Sequence, residues 1–202
     1  IRIKSFIETV KSRRALKAAE EAKEAKPLFH SPFTKDDKKK RTVLIPNLSV
    51  GFSYLCKEVF NHQGYKTVQM PLANSRAVEL GKKFVHNDIC FPAQINIGEA
   101  LEWLESHPEI PRSKLAVGLA KNCENCRAGQ YPTLARKALD EAGYVDVPIV
   151  TTGVDDKDMH PGFDAGLGFR LKLLWGIPLM DAIEAMVRTV RPYEINPRET
   201  QE

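Results

Sequence analysis

The feature that most limits what this chain can fold into is a repeated alternation of short β-branched runs with helical segments. Thr42-Val43-Leu44-Ile45-Pro46 reads as a buried strand bounded by a turn. Phe52, Leu55, Cys56, Val59 and Phe60 then recur at helical spacing, and Gly64 ends that segment before a second strand over 66–70. Strand, helix, strand is a parallel crossover unit. A helix through 76–83 leads into a loop around Cys90, and Pro92 opens a further helix carrying Ile95, Ala100, Leu101 and Leu104. Residues 115–120 read as another buried strand. Pro132 starts a helix with Leu134, Ala135, Ala138 and Leu139, Gly143 stops it, and 147–151 is a fourth strand. This order predicts an α/β layered domain with a mostly parallel, flavodoxin-like sheet. The glycine- and proline-rich stretch to Gly168 is then a long loop. The helical pattern over 169–190 resembles the start of another element rather than a closing strand.

Upstream of this pattern the character differs. Ile3, Phe6, Ile7 and Val10 lie at i, i+3, i+4 and i+7, so 3–26 is predicted as a helix; Pro27, Pro32 and the charged stretch to Arg41 break it. The expected organisation is a linker helix and basic linker over 1–40, followed by an α/β domain over 41–202. An opening Ile1 rather than Met points to a portion of a longer polypeptide. Residues 1–41 hold 13 of the 30 basic residues and 6 of the 26 acidic ones, which leaves the rest mildly acidic. A basic arm without a basic surface or an aromatic stacking platform argues against a nucleic-acid partner, and Lys38-Lys39-Lys40-Arg41 reads as a solvated linker. At 43% apolar and 28% charged, the composition is that of an ordinary globular chain. With no run of about eighteen apolar residues and no leader pattern at the start, the expectation is a cytoplasmic protein without a membrane partner.

Four cysteines without a secretory leader point to reduced thiols that pack or do metal and redox chemistry. Cys90 precedes Phe91-Pro92 at the expected start of a helix, where the positive end of the helix dipole favours thiolate. Cys123-Glu124-Asn125-Cys126 follows a strand and precedes a helix, the edge of an open α/β sheet where ligands bind. Two thiols at that spacing reach one metal or close a small reversible disulfide. Arg127 stands beside them, to stabilise an anionic cluster or to pair with Glu124. Cys56 falls on the apolar stripe of a helix and is assigned to the core. His86 and His160 lie in loops, lack metal-ligand spacing and read as solvated. The acidic run Asp155-Asp156-Lys157-Asp158 also reads as solvated rather than as a hard-cation site. Neither a nucleophile elbow nor a phosphate-cradling glycine loop is present in the sequence. Any nucleotide hydrolysis therefore belongs to another part of a longer protein.

Three strings then carry a resemblance: Phe84-Val85-His86-Asn87-Asp88-Ile89-Cys90-Phe91-Pro92-Ala93; Cys126-Arg127-Ala128-Gly129-Gln130-Tyr131; and Ala135-Arg136-Lys137-Ala138-Leu139-Asp140-Glu141-Ala142-Gly143. Over 42–152 the chain resembles the acyl-CoA dehydratase activase-related family. In those large proteins, ATPase modules of the 2-hydroxyglutaryl-CoA dehydratase activator type precede a region similar to the dehydratase's cluster-binding subunits. The resemblance implies a 4Fe–4S or double-cubane iron–sulfur cluster, held by cysteines from separate loops. It also implies an ATPase activator module as partner, in the same or another chain, and an acyl-CoA-type substrate system; a homodimer stays open. By motif position Cys90 and Cys126 carry over as ligands. Cys123 departs from the family pattern and is either a third ligand or an idle neighbour. A structural zinc module, a dithiol redox module and a non-catalytic interaction domain are the competing readings of the same residues.

Overall fold

Four short strands pair in parallel to form the centre of the fold. They are β1 (Thr42–Ile45), β2 (Lys66–Gln69), β3 (Leu115–Leu119) and β4 (Ile149–Thr151), in the order β2-β1-β3-β4. Thr42 stands opposite Lys66 on one side and Leu115 on the other, and Val117 stands opposite Ile149. The structure, a computed structural model, describes Ile7, Val10, Lys11 and residues 29–47, 49–121, 126–152, 159–164, 166–197 and 199–201. It divides into two units, Ile1–His30 and Ser31–Glu202. In the first, Ile7, Val10 and Lys11 are helical; the remainder of the predicted 3–26 helix lies outside the described residues.

In the second unit the helices from residue 50 onward fall where spacing predicts them, a further short one lies in the stretch expected as linker, and local chemistry sets their ends. They are α1 (Asp37–Lys40), α2 (Val50–His62), α3 (Ser75–Phe84), α4 (Phe91–Ser106), α5 (Tyr131–Glu141) and α6 (Gly166–Val190). Ser49 caps α2 by accepting from Phe52 N–H at 3.2 Å, and Asn74 caps α3 by accepting from Ala77 N–H at 2.9 Å. Gly64 and Gly143, the predicted stops, have φ of 83° and 86°, the left-handed region that ends a helix cheaply only at glycine. This is the α/β, parallel, flavodoxin-like layering that the alternation predicts.

Because strand side chains alternate, each strand feeds two cores. One holds Val43, Ile45, Ala116 and Val150 against Cys56, Val59 and Phe60 of α2 and Phe169 of α6. Its aromatic rings stack closely, Phe60 on Phe169 with centroids 4.4 Å apart and Phe60 on Phe163 at 5.2 Å. Phe33, fully buried, completes this core. Residues 31–40, expected as linker, therefore belong to the second unit. Phe33 accepts from Gly162 N–H at 2.8 Å, and a Cβ on Gly162 would lie 1.9 Å from the Thr34 carbonyl carbon, so the two segments touch backbone to backbone. The opposite face buries Leu44, Val117 and Ile149, and with strand order β2-β1-β3-β4 the right-handed rule for parallel crossovers assigns α3, α4 and α5 to that side.

The outer face of α6 is apolar and uncovered. Leu167, Leu174, Leu179 and Met186 are exposed, and Trp175 is 79% exposed. Even so, among the described residues no helix is long and apolar enough to cross a membrane.

The helical hairpin α3–α4 carries the Cys90 loop at its apex. Its arms touch through two glycines: a Cβ on Gly81 would lie 2.0 Å from the Gln94 carbonyl oxygen, and one on Gly98 would lie 2.0 Å from the Ala77 carbonyl oxygen. Ala77 beside Gly98 and Gly81 beside Gln94 make the pair antiparallel. Glu99 then fixes the height of α4. Its buried carboxylate accepts from Asn47 N–H at 2.9 Å, just past β1, and from Ala73 N–H at 3.1 Å, past β2. Cys90 precedes Glu99 by about two and a half turns of α4, so it projects beyond the carboxyl edge, roughly 13 Å along the axis from Glu99 at 1.5 Å per residue. Gly98→Ala should therefore push the two helices apart and destabilise the unit by on the order of 1–3 kcal/mol in denaturant unfolding, against near neutrality for Ala at an exposed helical position.

Candidate functional site

Cys90 is the N-cap residue of α4, its carbonyl accepting from Ala93 N–H at 3.0 Å, with Pro92 in the first helical turn. The half-buried residue thus stands at the positive end of the α4 dipole, its side chain making no cap bond to the helix N–H groups. Cys126 caps the one-turn 3-10 helix Arg127–Gln130 that runs straight into α5. There its exposed sulfur accepts from Ala128 N–H at 3.5 Å, and its carbonyl accepts from Gly129 N–H at 3.0 Å. Each thiol therefore sits at the start of a helical segment beyond the carboxyl edge of the sheet.

Two side chains tie the loops together. The Tyr131 hydroxyl lies 3.0 Å from Cys90 Sγ, and Arg127 Nη1 donates to the Asp88 carbonyl at 3.4 Å. Tyr131 is only 6% exposed. Burial, then the bond to Cys90, then the nearby Cys90 and Cys126 sulfurs raise its pKa above the usual range of a phenol, so the hydroxyl keeps its proton. Tyr131 lies five residues after Cys126 and Arg127 directly after it, so these two bonds hold the Cys126 loop against the Cys90 loop. Cys123 lies outside the described residues, as do Glu124 and the acidic run over 155–158. Arg127 reaches the Cys90 loop through its bond to the Asp88 carbonyl.

The other titratable residues take different places. Cys56 is buried in the aromatic core, and burial pushes its thiol up to about 12. It lines a cavity of about 60 Å³ with Ile45, Phe52, Leu119, Thr151 and Phe169, on the α2 and α6 side of the sheet. Ser53, also on that wall, donates to the Pro46 carbonyl at 2.9 Å, so the cavity is a packing gap with apolar walls. His86 is exposed, with Nδ1 3.5 Å from the Asp88 carboxylate. His160 corrects the expectation of a solvated loop histidine: it is buried, Nε2 3.0 Å from Thr151 Oγ1 and Nδ1 3.3 Å from the Phe163 carbonyl oxygen. It closes the 159–164 segment onto the end of β4. Among the described residues no three His, Cys, Asp or Glu side chains are grouped so as to hold a metal ion.

Compared with known proteins, the chain matches no family model, no curated protein and no solved structure.

Tyr131, absent from the residues that spacing singles out, is the addition made by the structure. A tyrosine immediately before a helix-opening proline looks like an ordinary core aromatic in sequence; its hydroxyl partner comes from another loop. In metal-free, reduced protein the three described thiols should separate cleanly. Peptide mapping after limited alkylation is expected to find Cys126 labelled first, Cys90 more slowly, and Cys56 only after unfolding. A thiol whose folded value is raised contributes stability that is complete below pH 9 and disappears as pH rises toward about 12. Cys56→Ala should remove that part of the alkaline loss of stability, which urea melts across the pH range will show.

Proposed function

We propose that Cys90 and Cys126 are thiolate ligands of an iron–sulfur cluster in an electron-transfer region, with Cys123 as the further thiol of the same loop. The observation that carries this reading is that two cysteine loops are tied together at the sheet's carboxyl edge, Tyr131 of the Cys126 side reaching Cys90 Sγ at 3.0 Å and Arg127, next to Cys126, donating to the Asp88 carbonyl. The donor set fits such a group. Thiolates are the soft ligands that iron–sulfur clusters take, and both described sulfurs lie at helix starts, where N–H groups and the dipole offset negative charge. When bound, a 4Fe–4S or double-cubane cluster supplies one-electron transfer at low potential.

The chain's own residues do the rest. The Ala128 N–H donates to the Cys126 sulfur, Arg127 brings a fixed positive charge to the Cys90 loop, and the α3–α4 hairpin holds Cys90 away from the sheet. The resemblance to the activase-related family extends the proposal to the source and use of the electrons. An ATPase activator module delivers them, and an acyl-CoA-type dehydration or reduction consumes them. A zinc site or a Cys123–Cys126 dithiol would use the same sulfurs, so metal identity discriminates among the readings.

Anaerobic reconstitution with iron and sulfide tests the proposal. Wild type is expected to retain iron and acid-labile sulfide in stoichiometric amounts, with an electron paramagnetic resonance signal on reduction. Cys90→Ser and Cys126→Ser should each lose most of that iron. Retention of zinc alone, or equal iron in wild type and both variants, would remove the cluster assignment.

A further inference from the structure

We infer that Tyr131 is a positioning residue for the Cys90 sulfur, its hydroxyl donating a hydrogen bond that fixes the sulfur and draws electron density from it. This inference rests on the reading of Cys90 as a cluster ligand. The Oη–Sγ separation of 3.0 Å is short for a hydrogen bond to sulfur, and the ring is almost wholly buried, so the hydroxyl is aimed rather than free to swing. In the metal-free thiol form either atom can donate. A ligated sulfur carries no proton, and the phenol is then the donor.

The placement of Tyr131 gives the bond its consequence. It is the first residue of α5 and directly follows the turn that Cys126 caps, so a bond from its hydroxyl to Cys90 locks one ligand loop onto the other. Arg127 makes the second tie, through the Asp88 carbonyl. A residue that only filled space would need the ring and not the hydroxyl. Hydrogen bonds to cluster sulfurs are one of the main settings of reduction potential, because they stabilise the more negative, reduced state.

Tyr131→Phe keeps the ring and removes the donor. In anaerobically reconstituted protein, wild type and Tyr131→Phe should hold equal iron and sulfide, while redox titration followed by electron paramagnetic resonance finds a more negative potential in the variant. An unchanged potential at equal cluster content overturns the inference. Were wild type to take up no iron, the cluster reading would fail by itself, and the bond would still be tested in metal-free protein. With tyrosine labelled at the ring carbon bearing the hydroxyl, Cys90→Ala should shift one of the five tyrosine resonances, the one that Tyr131→Phe deletes. If that resonance does not move, the hydroxyl does not engage Cys90 and the inference is wrong.

Discussion

The geometry of the site depends on a buried carboxylate satisfied by backbone amides. Glu99 stands on α4 and takes one N–H from the residue pair after β1 and another from the segment after β2. Burying a carboxylate is costly unless its oxygens are hydrogen-bonded. Desolvation raises its pKa, and the two N–H bonds act against that rise. The arrangement therefore holds α4 at one height against the sheet. Asn47, whose N–H it accepts, also donates through its side chain to the Met70 carbonyl at 2.6 Å, and Gln69 donates to the Asn47 side-chain oxygen at 2.7 Å. One polar cluster thus ties the ends of β1 and β2 to the helix that begins at Cys90.

A second device acts on the Cys126 side. Arg136 of α5 is fully buried and donates to the Val147 carbonyl at 2.6 Å and the Tyr144 carbonyl at 2.9 Å, with Asp140 2.7 Å away as counter-ion. It closes the turn between α5 and β4 and so anchors the helix whose first residue is Tyr131. The guanidinium is buried while its counter-ion Asp140 stays partly exposed, so the two backbone carbonyls are what fix it within the fold. Glu99 and Arg136 between them fix two helices, and the two cysteines ride on the starts of those helices.

Most of the scaffold was legible in the sequence, because its signals are local. The β-branched runs, the prolines after Phe91 and Tyr131, and the stops at Gly64 and Gly143 each announce themselves within a few residues. What was not legible depends on partners far along the chain. Phe33 lies in a charged stretch that reads as linker, and only its place beside Phe163 makes it core. Gly81 and Gly98 look like weak points in helices; each is required by a carbonyl of the facing helix. His160 sits in a glycine- and proline-rich run that reads as solvated, and its burial follows from Thr151. Of the candidate site, Cys90 was visible from the proline that opens its helix and Cys126 from its spacing to Cys123 between a strand and a helix, whereas Tyr131 was hidden because nothing local marks a hydroxyl that reaches another loop.

The central claim is that the folding of this chain holds the Cys90 loop against the Cys126 loop. Short bifunctional thiol cross-linking of the reduced, metal-free Cys123→Ser protein, read by peptide mapping, tests it most directly. The account predicts an intramolecular link between Cys90 and Cys126 that Gly98→Ala weakens. Two separate single modifications, with no link between these cysteines under conditions where the fold is intact, would contradict it.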